Sequence, residues 1–101
     1  MPVVIATLMT KPGRRDEVLE AFEHHSPAVH AEHGCLLYVV HAGPHRVTVV
    51  EKWADQASLD AHRDGPVIST IIAATADALA APLDIAVLDA FPTGVGRKGV
   101  L

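Results

Sequence analysis

Cysteine occurs once in this chain, at Cys35, and tryptophan and tyrosine once each, at Trp53 and Tyr38. A single thiol excludes an internal disulfide and any zinc site built from several cysteines. Positive charge is also scarce. The 8 Lys and Arg residues face 12 Asp and Glu, for a net charge of −4 at pH 7, and they form no basic stripe. That balance argues against a nucleic-acid partner. No apolar run approaches the ~18–20 residues that a membrane helix needs. The opening Met1-Pro2-Val3-Val4 has no charged n-region followed by a cleavage site. No secretory signal is therefore expected, and a reducing cytoplasm is the expected compartment.

What the chain does have is apolar surface to spare. Half of its 101 residues are hydrophobic, more than a small monomer needs to fill one core. The excess points to a subunit interface, and hence to a homodimer. The length suits one domain. We expect it over residues 1–91, followed by a Gly-rich tail over residues 92–101 that is disordered alone or folds against a partner subunit.

The elements follow from periodicity and punctuation. Val3 to Met9 reads as a central strand, with Val3, Ile5, Thr7 and Met9 on one face. Lys11-Pro12-Gly13 is a turn, after which a helix is expected from about Arg14 to His33. Its stripe includes Val18, Leu19, Phe22 and Val29, and Pro27 predicts a kink or break. Gly34 should end the helix in a left-handed conformation. Leu36–His41 and Val47–Trp53 form an antiparallel hairpin around Gly43-Pro44. Asp55 caps a short helix over Gln56–Arg63, and Pro66 opens another that runs to about Leu79. Leu83–Phe91 is the last strand. The order β-α-β-β-α-β is the ferredoxin-like split arrangement, an α+β fold with an antiparallel four-stranded sheet. Two helices cover one face. Val4, Ala6, Leu8, Leu37, Val39, Ala86 and Leu88 are assigned to the other, where a second sheet is expected to pack.

The third strand carries an anomaly. Val47, Val49, Glu51 and Trp53 share one face, and a carboxylate between valines and an indole is out of place unless it is paired or used. Either Glu51 forms an ion pair with Arg63, Arg46 or a partner's arginine, or it lines a cavity with Trp53 and His62. Leu59 shares a helical face with His62, which turns the imidazole inward as a capped core group or a pocket group. Seven histidines invite a metal, but His30 and His33 at i, i+3 supply only two ligands, so no metal site is expected. Pro2 would act as a base only if Met1 were removed, and nothing else supports that chemistry. Cys35 reads as a small apolar filler.

Four short motifs, Lys11-Pro12-Gly13, Glu32-His33-Gly34-Cys35 with Tyr38 beyond it, Glu51-Lys52-Trp53, and Leu59-Asp60-Ala61-His62, occur in this order. Together they resemble the antibiotic-biosynthesis monooxygenase (ABM) domain over about residues 3–91. The departures are His33 in place of a usual proline and Val67 where a second histidine commonly follows. The resemblance implies a dimeric α+β barrel. It also implies, for many members, oxygenation of quinol-like, phenolic or polyketide aromatics by dioxygen without a metal, flavin or haem cofactor. A haem-degrading branch of the superfamily uses an asparagine on the first strand, where this chain has Thr7.

Such oxygenation requires a base, a dry pocket and a substrate that reduces dioxygen once deprotonated. His62, Glu51 and Trp53 are the candidate catalytic groups. Tyr38, Thr7, Phe22 and Ile71 are candidates for holding the ring and its oxygens. The alternatives are a haem-binding or haem-degrading member, or a non-catalytic dimer that binds a small metabolite.

Overall fold

The computed structural model describes all 101 residues. Strand β1 (Pro2–Met9) is followed by helix α1 (Arg15–His30), strands β2 (Cys35–Gly43) and β3 (Arg46–Trp53), helices α2 (Gln56–Asp64) and α3 (Pro66–Thr75), and strand β4 (Asp84–Asp89). The sheet order is β2-β3-β1-β4, antiparallel throughout. This is the ferredoxin-like α+β fold that the element order predicts.

Register decides which side chains meet the helices. Val4 pairs with Glu51, Ala6 with Val49 and Leu8 with Val47, so all six project from the same face. They join Val18, Phe22 and Val29 of α1, Leu59 of α2 and Ile71 of α3 in one buried cluster, except that Glu51 is its polar member. This corrects the assignment of Val4, Ala6 and Leu8 to the outer face. β1 is apolar on both sides, so alternation alone does not choose between them. The outer face instead carries Val3, Ile5 and Thr7 of β1. Lys52, Val50 and Thr48 of β3 lie opposite them, and Leu37, Val39, Ala86 and Leu88 join them there as expected.

Element ends differ from expectation in ways that local chemistry explains. α1 runs through Pro27 without interruption and stops at His30, three residues early. Pro27 lacks only its own donor, and the Ala31 amide still reaches the Pro27 carbonyl at 3.2 Å. α3 gives way at Ala76–Ala78 to a single 3-10 turn. A one-residue bulge at the start of β2 puts Leu36 out of register and leaves it half exposed. The tail makes a short turn at Gly96–Lys98, and the Leu101 carbonyl accepts a hydrogen bond from Lys52 Nζ.

Gly34 joins α1 to the sheet and to α2. Its φ is +79°, its carbonyl accepts from the Ala54 amide at 2.8 Å, and an added Cβ would lie 2.1 Å from Ser58 Oγ. Gly13 shares the left-handed conformation, with φ +76°, but has open space around it. Gly13→Ala should therefore cost only the backbone term, ~1–2 kcal/mol. Gly34→Ala should cost clearly more in urea unfolding. Equal losses in the two variants would show that α2 yields to the added methyl.

Candidate functional site

β3 delivers the carboxylate. Its inward side chains, Val47, Val49, Glu51 and Trp53, are all buried, and Glu51 is only 5% exposed. The Trp53 indole N–H donates to Glu51 Oε1 at 3.0 Å. Two residues later Asp55 caps α2, its Oδ1 accepting from the Ser58 amide at 2.8 Å. The cap turns α2 back over the end of β3. Leu59 and His62, one helical turn apart, then face inward, and His62 is 3% exposed. Its ring stacks on the indole with centroids 4.6 Å apart at 29°. His62 Nε2 lies 3.9 Å from Glu51 Oε1, longer than a hydrogen bond, while Nδ1 is 2.8 Å from Glu32 Oε1. Neither Arg63 nor Arg46 of the same chain pairs with Glu51. Its partners are the indole and the imidazole.

β2 places Tyr38 directly opposite Glu51. The phenol ring is 5.9 Å from His62 and 6.4 Å from Phe22. Within the chain the only buried side-chain polar atom without a partner is Thr10 Oγ1. The Tyr38 hydroxyl, which makes no hydrogen bond to protein, therefore keeps accessible surface. It is a free donor and acceptor on a residue paired across the sheet with Glu51.

These groups border a cavity of about 50 Å³ between the sheet and α3. Phe22, Tyr38, Glu51, His62 and Ile71 line it together with Val4, Ala6, Ile68 and Arg63. It opens between α3 and β4, where Ile72, Ile85 and Val87 are 45%, 47% and 42% exposed. A larger open trough of about 620 Å³ runs along α1 and β2. Phe22 and Tyr38 border both spaces, but the trough touches none of Glu51, Trp53 and His62. The cavity is therefore the candidate site.

Two of the expected residues fall outside it. Thr7 pairs with Thr48 and Asp84 on the outer face, with the sheet between it and His62. Trp53 is fully buried and does not reach the cavity wall. It holds Glu51 and His62 from behind. Conversely, sequence reasoning gave no role to Glu32, and Arg63, offered there as an ion-pair partner for Glu51, lines the cavity instead. Glu32 follows α1 in a turn, 30 residues from His62, and no periodicity links the two. His30 ends α1, and His33 lies in the turn beyond it. His30 Nε2–H donates to the Tyr38 carbonyl oxygen at 3.0 Å, and no three His, Cys, Asp or Glu side chains gather as a metal site.

Burial raises the Glu51 carboxyl above the ordinary carboxylate range. The indole hydrogen bond and the facing imidazole pull it down without cancelling that effect, and Glu32 adds to the rise. Burial also pushes the Tyr38 phenol up, assisted by the charges of Glu51 and Glu32. At neutral pH Tyr38 is a neutral hydroxyl. The site thus joins a carboxyl poised to exchange a proton, an imidazole beside it, a free phenol and apolar walls.

The family model for antibiotic biosynthesis monooxygenases matches residues 1–74. The chain belongs to that family. Among solved structures, an antibiotic biosynthesis monooxygenase superposes with a TM-score of 0.82 at 25% identity, covering 91% of this chain and 100% of that one. Rv0793 of Mycobacterium tuberculosis gives 0.82 at 24% identity, over 94% and 100%. A Nitrosomonas europaea protein of unknown function gives 0.81 at 23%, over 95% and 94%. No curated protein matches the chain. Family and fold together support a monooxygenase-like function. No helix is long and apolar enough to cross a membrane.

The raised Glu51 carboxyl carries a pH signature. It binds its proton more tightly in the folded than in the unfolded chain, where the value is about 4.3. Stability therefore falls as pH rises from about 4.3 through the raised folded value. Glu51→Gln removes that contribution. Urea midpoints should show the variant gaining on the native chain as pH rises through this window. A difference that does not change with pH would contradict the burial of an ionising Glu51.

Proposed function

We propose that this chain is a cofactor-independent monooxygenase that oxidises a quinol or phenolic aromatic with dioxygen. The observation that carries the reading is the carboxyl–imidazole pair at the wall of an otherwise apolar cavity. Glu51 or His62 takes a proton from the substrate, and the resulting anion supplies the electrons to dioxygen. For a quinol, one oxygen atom is inserted at a ring C–H to give a hydroxyquinone. The other leaves as water with the two hydrogens that the oxidation removes. Tyr38 donates its free hydroxyl to a substrate oxygen, Phe22 and Ile71 flank the ring, and Trp53 fixes the orientation of Glu51 and His62. Apolar walls keep water from the reactive intermediate.

Size narrows the substrate. A cavity of about 50 Å³ is well below the ~150 Å³ that holds a benzene. Entry requires α3 to move away from β4, and a single ring demands less of that motion than a fused polyketide. The same comparison disfavours haem, whose macrocycle needs a pocket several times larger. His62 is also committed to Glu32 through Nδ1. The apolar outer face, with Val39 39% and Leu88 51% exposed, supports a homodimer that closes sheet on sheet. The partly buried lone thiol of Cys35 suits a reducing cytoplasm. The catalytic domain spans residues 1–91, and the tail over residues 92–101 flanks the sheet.

His62→Ala should slow oxidation of a quinol substrate by ~10²–10⁴-fold, the usual contribution of a positioned base. Trp53→Phe keeps an aromatic ring but loses the N–H donor to Glu51, and should slow it roughly tenfold. Dioxygen uptake measures the rate, and sedimentation should show unchanged dimer content in both. Native turnover in both variants would remove the assignment.

A further inference from the structure

His62 is a wall with two sides. Its inner side borders the cavity with Glu51 and Tyr38. Its outer side borders a separate open groove of about 290 Å³, lined by Glu32, His33, Asp55 and Ser58 among others. Glu32 stands in that groove with its side chain 20% exposed, and it bonds His62 Nδ1 at 2.8 Å. One imidazole thus joins a dry interior to solvent through a single carboxylate.

We propose that Glu32 and His62 form a proton outlet from the cavity, with Glu32 holding Nδ1–H so that a bare Nε2 faces Glu51 and the substrate. The proposal rests on the oxygenase reading and adds a route to it. A carboxylate accepts, so at 2.8 Å the shared proton belongs on Nδ1 in the resting ring. Nε2, 3.9 Å from Glu51 Oε1, is then the acceptor on the cavity side. In the forward step the substrate proton reaches Nε2 directly or by way of Glu51, and Nδ1 passes its proton to Glu32 and on to groove water. The ring is left with its proton on Nε2.

The return step restores it. The oxygenated anion needs one proton before its O–O bond breaks and water departs. Nε2–H supplies that proton, while groove water reprotonates Nδ1 through Glu32. One proton leaves and one returns, so the cycle balances and the buried ring need not flip. Because Glu32 acts through His62 and does not touch the cavity, it is a positioning and relay residue.

Two measurements separate the outlet from a structural role. Nitrogen NMR of histidine-labelled native protein should show His62 with Nδ1 protonated and Nε2 bare. Glu32→Ala, which leaves no acceptor at Nδ1, should lose that preference. Glu32→Ala should lower kcat for a quinol by about tenfold or more, with KM little changed. Because the groove is open, acetate should restore much of the loss in that variant while leaving native turnover unaffected. Resting His62 with Nε2 protonated would overturn the inference, as would native kcat in Glu32→Ala. A loss that acetate does not relieve would reduce Glu32 to a brace and overturn the outlet. Should the native protein oxidise no quinol, the oxygenase reading fails on its own. The nitrogen pattern, which needs no turnover, still decides the Glu32–His62 arrangement.

Discussion

Burying Glu51 in the middle of an apolar sheet face is the constraint that organises the molecule. Removing a carboxylate from water costs several kcal/mol unless partners replace the lost hydration. Here the one hydrogen-bonded replacement is the Trp53 indole N–H at 3.0 Å, with the His62 imidazole alongside at 3.9 Å. The indole comes from β3 itself, but the imidazole does not. The Asp55 cap returns α2 over the strand end, and Gly34 lets the chain pass close enough for Ser58 and Ala54 to pack beneath it. Glu32, in the turn that ends α1, then fixes the imidazole from outside. Three segments distant in sequence thus converge on one carboxyl. Because compensation is incomplete, the carboxyl stays above its usual range, which suits proton exchange and costs stability.

The same geometry separates two kinds of residue within one cluster. Glu51, His62 and Tyr38 border empty space, whereas Trp53 braces the first two and touches none of it. An aromatic in a fully packed position at the back of a site contributes rigidity, since both its stacking partner and its hydrogen-bond acceptor lose freedom. The apolar front, Phe22, Ile68 and Ile71, supplies shape. The exposed isoleucines and valine between α3 and β4 mark the entrance. Few contacts join α3 to β4 there, since α3 packs mainly on α1 and α2.

Most of the fold was legible in the sequence because its punctuation is strong. Asp55 and Pro66 each mark an element boundary that the structure keeps, and the hairpin turn lies where Gly43-Pro44 puts it. Gly34 is left-handed as expected, but it leads into β2, since α1 has already ended at His30. Alternation on β3 also identifies Glu51 as an anomaly from the sequence alone. What failed was the choice of face on β1. Val3 to Met9 is apolar on both sides, and only the pairing of Val4 with Glu51 assigns Val4, Ala6 and Leu8 to the core and Thr7 to the outside. In the site, local pattern found the inward His62 but not Glu32. Their contact depends on where two separate elements end, and no periodicity encodes that. The ABM motifs quoted from the sequence contain both residues, yet motif order alone assigns Glu32 no task.

The account stands on one act, removal of a proton from an aromatic substrate by a buried carboxyl–imidazole pair. It is observed most directly with dioxygen withheld. Mixed anaerobically at neutral pH with a single-ring quinol, the native protein should bind it and display the absorption spectrum of the quinol anion, stable until air is admitted. The same quinol bound in its neutral form under those conditions would contradict the proposal.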